Sequence, residues 1–75
     1  MPKWLNERLG LTPTIKRELF PTEELAAQAL RTALDTQQSQ GRTVTESVAG
    51  DALSHEIHDD AGFVATYWLS DNYEA

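Results

Sequence analysis

The chain has 75 residues, 40% of them hydrophobic and 8% aromatic, and a formal net charge of -6 at pH 7. Compact domains commonly have about 50 to 200 residues, so we expect a single domain over residues 1–75. The hydrophobic fraction is ordinary for a folded domain and too high for a disordered acidic tail. These numbers exclude a multidomain enzyme, and no apolar run approaches the ~18 residues that a membrane span needs.

The sequence contains no cysteine. This excludes a disulfide framework, a thiolate nucleophile and a cysteine-based metal centre. A domain of this size must therefore be stabilised by its own hydrophobic core or by association with a partner.

Charge is distributed unevenly along the chain. Residues 1–42 hold all the lysines and arginines and have a net charge of +1, whereas residues 43–75 hold no lysine or arginine and have a net charge of -7 with histidine neutral. Such a segment repels phosphate backbones, so we expect no direct binding of nucleic acid. It attracts basic protein surfaces, although the same acids also suit a purely solubilising surface.

The first two segments predict a short helix and a strand. Residues 3–9 carry an apolar stripe, and Gly10 follows where a helix commonly ends. The stripe consists of Trp4, Leu5 and Leu9. Pro13 cannot continue a helix, and alternating side chains over residues 14–20 predict a strand.

The next segment has the clearest helix signals in the chain. Thr22 is a suitable N-cap, and Glu23 and Glu24 follow where the helix macrodipole favours acids. Apolar residues then recur with helical periodicity, and Gly41 is a typical stop signal. We predict a long helix over residues 22–40.

The last part of the chain predicts an antiparallel meander over residues 43–49, 52–59 and 63–70. Gly50-Asp51 suits a two-residue hairpin, and Asp60-Ala61-Gly62 suits a three-residue loop. The first loop pairs Val44 with Ile57, Glu46 with His55 and Val48 with Leu53. The second loop pairs Ile57 with Ala65, His55 with Tyr67, Leu53 with Leu69 and Asp59 with Phe63. Together they place one apolar set on the same face: Val44, Val48, Leu53, Ile57, Phe63, Ala65 and Leu69.

An alternative places a helix in this region, with Thr45 as its cap. It would present Val48 and Ile57 on one side, but Gly50 inside it would cost about 1 kcal/mol relative to alanine. We therefore prefer strands. The predicted fold class is α+β: a small two-layer domain with one long helix on a three- to four-stranded, largely antiparallel sheet, plus the short N-terminal helix. Residues 71–75 are predicted to form a frayed tail.

The two histidines lie close together in the sequence, next to several acids. On a helix, His55, His58 and Asp59 would share a face and could hold a metal ion. On a strand, His55 and His58 face opposite sides, and their spacing matches no established zinc signature. We expect no metal, no cofactor and no catalytic residue.

The predicted register also places Glu46, His55 and Tyr67 side by side. A carboxylate beside an imidazole can support proton transfer, but no nucleophile is predicted next to this row. We interpret it as a hydrogen-bonded row that stabilises the register.

Alternation places Trp68 on the polar face of the meander, together with Glu56. An exposed tryptophan among carboxylates is typical of an interface, unless the N-terminal turn covers it. The predicted partner-binding residues are Glu56, Asp59, Asp60, Trp68 and Asp71.

No motif identifies a family. In size, acidity and lack of an active-site signature, the chain resembles small phage or mobile-element proteins that inhibit host machinery, including anti-CRISPR proteins. The resemblance is one of profile, covers no particular residues and implies no site. It implies a non-enzymatic inhibitor in the cytoplasm of a bacterial host. Together with the acidic half of the chain, it leads us to expect docking on a basic, nucleic-acid-binding surface of a host protein, with no membrane contact.

Two other classes of function remain open. One is a structural module that pairs its edge strand with another copy and forms a homodimer. The other is a small metal-assisted or acid–base enzyme that uses His55 and His58.

Overall fold

The computed structural model describes residues 2–10, 12, 14–49 and 52–71. These residues form one helix and a five-stranded sheet, in which the neighbouring strands are antiparallel. The elements in chain order are β1 Lys3–Leu9, β2 Ile15–Phe20, α1 Glu23–Ser39, β3 Thr43–Ala49, β4 Ala52–Asp59 and β5 Gly62–Ser70. The strand order β2-β1-β5-β4-β3 makes β2 and β3 the two edges. The fold is α+β, as predicted, but the sheet has more strands than the predicted three or four.

The described part of the chain contains no helix with the length and apolar character that crossing a bilayer requires.

The N-terminal segment is a strand, so the predicted short helix over residues 3–9 is wrong. β1 lies inside the sheet, where Leu5 pairs with Glu18 of β2 and with Leu69 of β5. An apolar stripe of this length fits either period, because Leu5 and Leu9 also lie on one side of a strand. A two-turn helix is marginal in water, whereas an inner strand pairs its backbone with neighbours on both sides.

Helix α1 lies within the predicted range 22–40. The Thr22 hydroxyl accepts a hydrogen bond from the backbone N–H of Leu25 at 3.2 Å. At the other end, Gly41 has φ 85°, and its N–H donates to the Gln38 carbonyl at 3.0 Å. The N–H of Arg42 donates to the Gln37 carbonyl at 3.2 Å, which completes a Schellman motif. Because α1 connects the two edge strands, it crosses one whole face of the sheet.

The segments on either side of residues 50 and 51 are strands, which confirms the meander over the helical alternative. β3 and β4 have the predicted register, with Val44 opposite Ile57, Glu46 opposite His55 and Val48 opposite Leu53. The predicted Gly50-Asp51 hairpin turn itself lies outside the described residues, as do residues 72–75 of the predicted tail.

The β4–β5 connection departs from the predicted register at its turn. Ile57 pairs with Ala65 as predicted, but His58 pairs with Phe63 and Asp59 with Gly62. A bulge adds one residue to β5 between these pairs, so Phe63 turns away from the face on which Ile57 lies. Its ring meets the His58 ring edge-on, with 5.7 Å between centroids. Phe63 therefore does not belong to the predicted apolar face.

The core lies between α1 and the middle of the sheet. Its most buried members are Ala26, Leu30, Ile57, Ala65 and Tyr67. Val48 and Leu53, which belong to the predicted apolar face, are 70% and 44% exposed. The core therefore ends before this corner of the sheet, and a face that alternation makes apolar is only partly covered.

Replacing Ile57 with alanine tests the core. Because Ile57 is fully buried, Ile57→Ala should lower the free energy of unfolding by about 2 to 5 kcal/mol. The control Val48→Ala, at an exposed position, should change it by less than about 0.5 kcal/mol. Urea unfolding measures both, and equal losses would contradict this placement of the core.

Candidate functional site

Trp68 lies near the middle of the sheet face opposite α1, which we call the open face. It pairs with Asn6 of β1 and Ser54 of β4, and its chain neighbour Tyr67 points to the core side. Glu56 also lies on the open face, because its neighbour Ile57 is fully buried under α1. Trp68 is partly buried. The open face thus presents a tryptophan and a carboxylate on adjacent strands.

Asn6 is a buried polar residue on the open face. Its side-chain amide donates hydrogen bonds to the Ser70 hydroxyl at 2.9 Å and to the Trp68 carbonyl at 3.3 Å. These bonds connect β1 to β5 at the position of Trp68. The sequence does not predict this role as long as residues 3–9 are interpreted as a helix. The available signal is the two-residue spacing, which puts Asn6 on the same side of a strand as Trp4 and Arg8.

The N-terminal segment does not fold over Trp68, so the alternative of a covering turn is wrong. Trp4 lies in the sheet on the open face, opposite Ser70 in β5. Leu5 points to the other face and packs against the core. Trp68 is therefore flanked within the sheet rather than covered by a second layer of the described residues.

The acids of the β4–β5 turn lie at one end of the sheet. Asp59 Oδ1 accepts a hydrogen bond from the Ala61 N–H at 2.8 Å, which is the geometry of an Asx turn. Asp60 is exposed in the turn. From Ser54, which is opposite Trp68, β4 advances six residues to Asp60, or about 20 Å. Trp68 and Glu56 therefore lie on the open face, whereas Asp59, by alternation with the buried Ile57, is on the other side of β4; Asp59 and Asp60 are exposed in the turn at the end of the sheet.

Asp71, the fifth predicted partner-binding residue, lies apart from this surface. It follows the opposite end of β5, and its carboxylate accepts a hydrogen bond from Lys3 Nζ at 2.5 Å. This contact raises the pKa of the Lys3 ammonium group. The negative charge of Asp71 is thus paired with a cation within the chain.

The two histidines lie on opposite faces of the sheet. His55 pairs with Tyr67 on the side of α1, whereas His58 lies on the open face, with Nε2 3.4 Å from Glu56 Oε1. The predicted metal-ligand set is therefore divided. Across residues 2–10, 12, 14–49 and 52–71, no three His, Asp or Glu side chains are grouped closely enough to hold a metal ion.

The predicted polar row crosses the sheet under α1 and is longer than expected. Its members, in order across the strands, are Glu46, His55, Tyr67, Glu7 and Lys16. The Tyr67 hydroxyl donates to Glu7 Oε2 at 2.5 Å and accepts from Gln37 Nε2 of α1 at 3.3 Å. Burial, followed by the hydrogen bond to Glu7, raises the pKa of Tyr67 from 10.0 to about 12.

The hydrogen bonds of the row are confined to the neighbourhood of Tyr67. His55 Nδ1 is buried and has no hydrogen-bond partner among the described residues. Glu46 therefore does not orient the His55 ring, and the row does not form an acid–base pair. Glu7 was missed at the sequence level because it was assigned to a helix rather than to a strand next to β5.

Two cavities lie beside α1, one towards each edge of the sheet. A cavity of about 670 Å³ is lined by Glu7, Tyr67 and Ala33, among others. A second cavity of about 510 Å³ is lined by Glu46, His55 and other residues. Alanines on the inner side of α1 leave this space, because their side chains are short. In the first cavity, Tyr67 and Glu7 are already hydrogen-bonded to each other.

The Tyr67–Glu7 contact predicts how stability depends on pH. Because the pKa of Tyr67 is raised from 10.0 to about 12, the folded state favours the neutral phenol. Its contribution to stability is complete below pH 10 and is lost as the pH rises to 12. We expect the difference in unfolding free energy between the parent and Tyr67→Phe to shrink over this interval, as measured by urea unfolding.

Tyr73→Phe provides the control, because it leaves Tyr67 as the only tyrosine. Tyrosinate absorbance of this variant should rise near pH 12. A rise near pH 10 would contradict the environment assigned to Tyr67.

No family model, no curated protein and no solved structure matches the chain. No relative therefore transfers a residue role to it.

Proposed function

We propose that the chain is an acidic protein-binding domain that docks on a basic surface of a host protein. The binding surface is formed by Trp68, Glu56, Asp59 and Asp60, and we call it the acidic surface. One observation carries the proposal: Trp68 and Glu56 lie on adjacent strands of the open face, and the exposed acids Asp59 and Asp60 follow at the β4–β5 turn, where these two strands meet. An aromatic anchor with a polar rim is the usual composition of a protein interface.

The charge of the open face gives the docking a direction. Arg8 and Arg17 lie on this face in β1 and β2, because they pair across the sheet with Thr66 and Asn6. The acids lie in β4 and at its turn. A basic partner is therefore attracted to the turn and repelled by the β1–β2 side, which orients the encounter before contact.

The partner class follows from the same electrostatics. A protein surface that binds nucleic acid is positively charged and attracts carboxylates, so the chain would compete there with phosphates. We therefore propose an inhibitor of a nucleic-acid-binding host protein, non-enzymatic and acting in the bacterial cytoplasm. The anti-CRISPR-like profile of a small acidic chain supports this class, and the chain itself would bind neither nucleic acid nor membrane.

Asp71 is left outside the proposed surface. It lies beyond the opposite end of β5, and the Lys3 ammonium group compensates its charge. The enzyme alternative is also not favoured, because His55 and His58 lie on opposite faces.

Removing the two charges of the turn tests the electrostatic part of the proposal. The immobilised chain first captures a protein from bacterial host lysate, and that protein is purified for surface plasmon resonance at two ionic strengths. The double substitution Asp59→Asn and Asp60→Asn should slow association and reduce its salt dependence. The turn should persist, because asparagine keeps the oxygen that accepts from Ala61.

A matched control removes two charges from the exposed side of α1. Glu24→Gln with Asp35→Asn changes the net charge equally, and both residues are exposed on the other layer. If the control slows association as much as the turn variant does, attraction depends on net charge alone and the acidic surface is not the docking site.

Trp68→Ala tests the apolar part of the same surface. Removing a central aromatic contact should increase the dissociation rate and leave the salt dependence of association nearly unchanged. The same sensor measurement provides both quantities. If the variant dissociates at the rate of the parent, and circular dichroism shows an unchanged fold, Trp68 is not part of the interface.

A further inference from the structure

The two edges of the sheet differ in how they are protected against further pairing. Edge strand β2 contains Lys16, Arg17 and Glu18 in succession, and Pro21 follows shortly after its end. Charged residues and proline are common means of blocking strand addition. β3 has neither lysine, arginine nor proline, and it pairs with β4 through seven successive residues without a bulge. β3 is thus a regular, unprotected edge.

The outer side of β3 is open in the described part of the chain, where β4 is its only strand partner. Its side chains on the side of α1 are Val44, Glu46 and Val48, because these alternate residues pair with the inward-facing Ile57, His55 and Leu53. Val48 is 70% exposed and its pair Leu53 is 44% exposed. An apolar corner therefore adjoins the free backbone of the edge.

We propose that β3 binds an extended segment of a basic partner as an additional antiparallel strand, with a lysine or arginine opposite Glu46 and apolar residues opposite Val44 and Val48. Strand addition satisfies the backbone groups of the edge, and the alternating side chains give specificity. Glu46 is the only charged residue of β3 and lies at its centre, so it selects the charge of the incoming strand.

The same geometry disfavours a second copy of the chain as the occupant. In a two-fold antiparallel pairing that uses the whole of β3, each Glu46 lies opposite the Glu46 of the other copy, because it is the middle residue of Thr43–Ala49. Like charges directly opposite destabilise a pair of strands. Each copy also has a net charge of -6. Shifting one copy of β3 by two residues along the other would separate the two Glu46 carboxylates, but fewer residues of the two strands would then pair.

This inference does not depend on the proposed function. The edge of β3 and the acidic surface are different parts of the sheet, since β3 carries none of the residues of the acidic surface. If one proposal is contradicted, the other is unaffected. The turn variant with Asp59→Asn and Asp60→Asn distinguishes them, because it should bind a peptide that pairs with β3 as tightly as the parent does.

Two synthetic peptides test the inference. One has the sequence of β3 with lysine at its centre, Thr-Val-Thr-Lys-Ser-Val-Ala, and the other retains the native glutamate at that position. Both are titrated into the isotope-labelled full chain, and amide shifts are followed by NMR. We expect the lysine peptide to bind about tenfold more tightly, since the pair opposite Glu46 changes from repulsive to attractive. The largest shifts should fall on residues 43–49.

The variant Glu46→Lys is the matched reversal. It should prefer the glutamate peptide, while its circular dichroism and unfolding midpoint stay close to those of the parent. Three results would overturn the inference: equal affinity of the two peptides, no binding of either, or shifts centred on the acidic surface. Sedimentation that shows a parent dimer, with residues 43–49 protected from exchange, would make a second copy the occupant instead.

Discussion

The pairing of the first strand with the last is the contact on which the rest of the structure depends. It joins the β1–β2 hairpin to the β3–β4–β5 meander, and neither piece alone has the strands and cover that an independently stable sheet needs. Side-chain contacts reinforce this pairing on both faces: Asn6 with Ser70 on the open face, and Glu7 with Tyr67 under α1. Lys3 and Asp71 add a further contact at one end. Residues that are distant in sequence thus hold the sheet together.

A single helix leaves the chain with two unlike surfaces. α1 covers the central strands with Leu30 and several alanines, so the core is small and the corner at Val48 stays exposed. The other face has no second layer among the described residues, and its partly buried Trp68 lies between Asn6 and Ser54 in the sheet. A partner on the open face would therefore add a layer that the described residues do not form, and for this reason the proposed binding surface includes that face rather than the cavities beside α1.

Local signals in the sequence were sufficient where structure is determined locally. The cap at Thr22 and the stop at Gly41 predict α1, because both act through hydrogen bonds within one turn of the helix. The Gly50-Asp51 turn signal together with alternation predicts the register of β3 and β4. Alternation also places Trp68 on the face opposite Tyr67. The predicted row of Glu46, His55 and Tyr67 follows from the same register.

Features that depend on distant residues could not be predicted in this way. Whether residues 3–9 form a helix or a strand is decided by β5, more than fifty residues later, and the short apolar stripe fits either period. The roles of Asn6 and Glu7 depend on that decision, so they were missed with it. The bulge beside Phe63 could not be predicted from the residue pattern. One additional residue in a strand moves the side chains beyond it to the other face of the sheet, and no residue type here signals where that addition occurs.

The central position of β5 has a consequence for the order in which the fold can form. During synthesis, β1, β2 and α1 are made before β5, yet β5 occupies the place between β1 and β4. Until it arrives, β1 exposes one unpaired side, and the inner face of α1 has little sheet to cover. Contacts such as Lys3 with Asp71 span 68 residues, and such long loops close late and slow folding. The nascent chain therefore passes through a stage with exposed strand edges and an exposed apolar helix face, in which chaperones or self-association compete with folding.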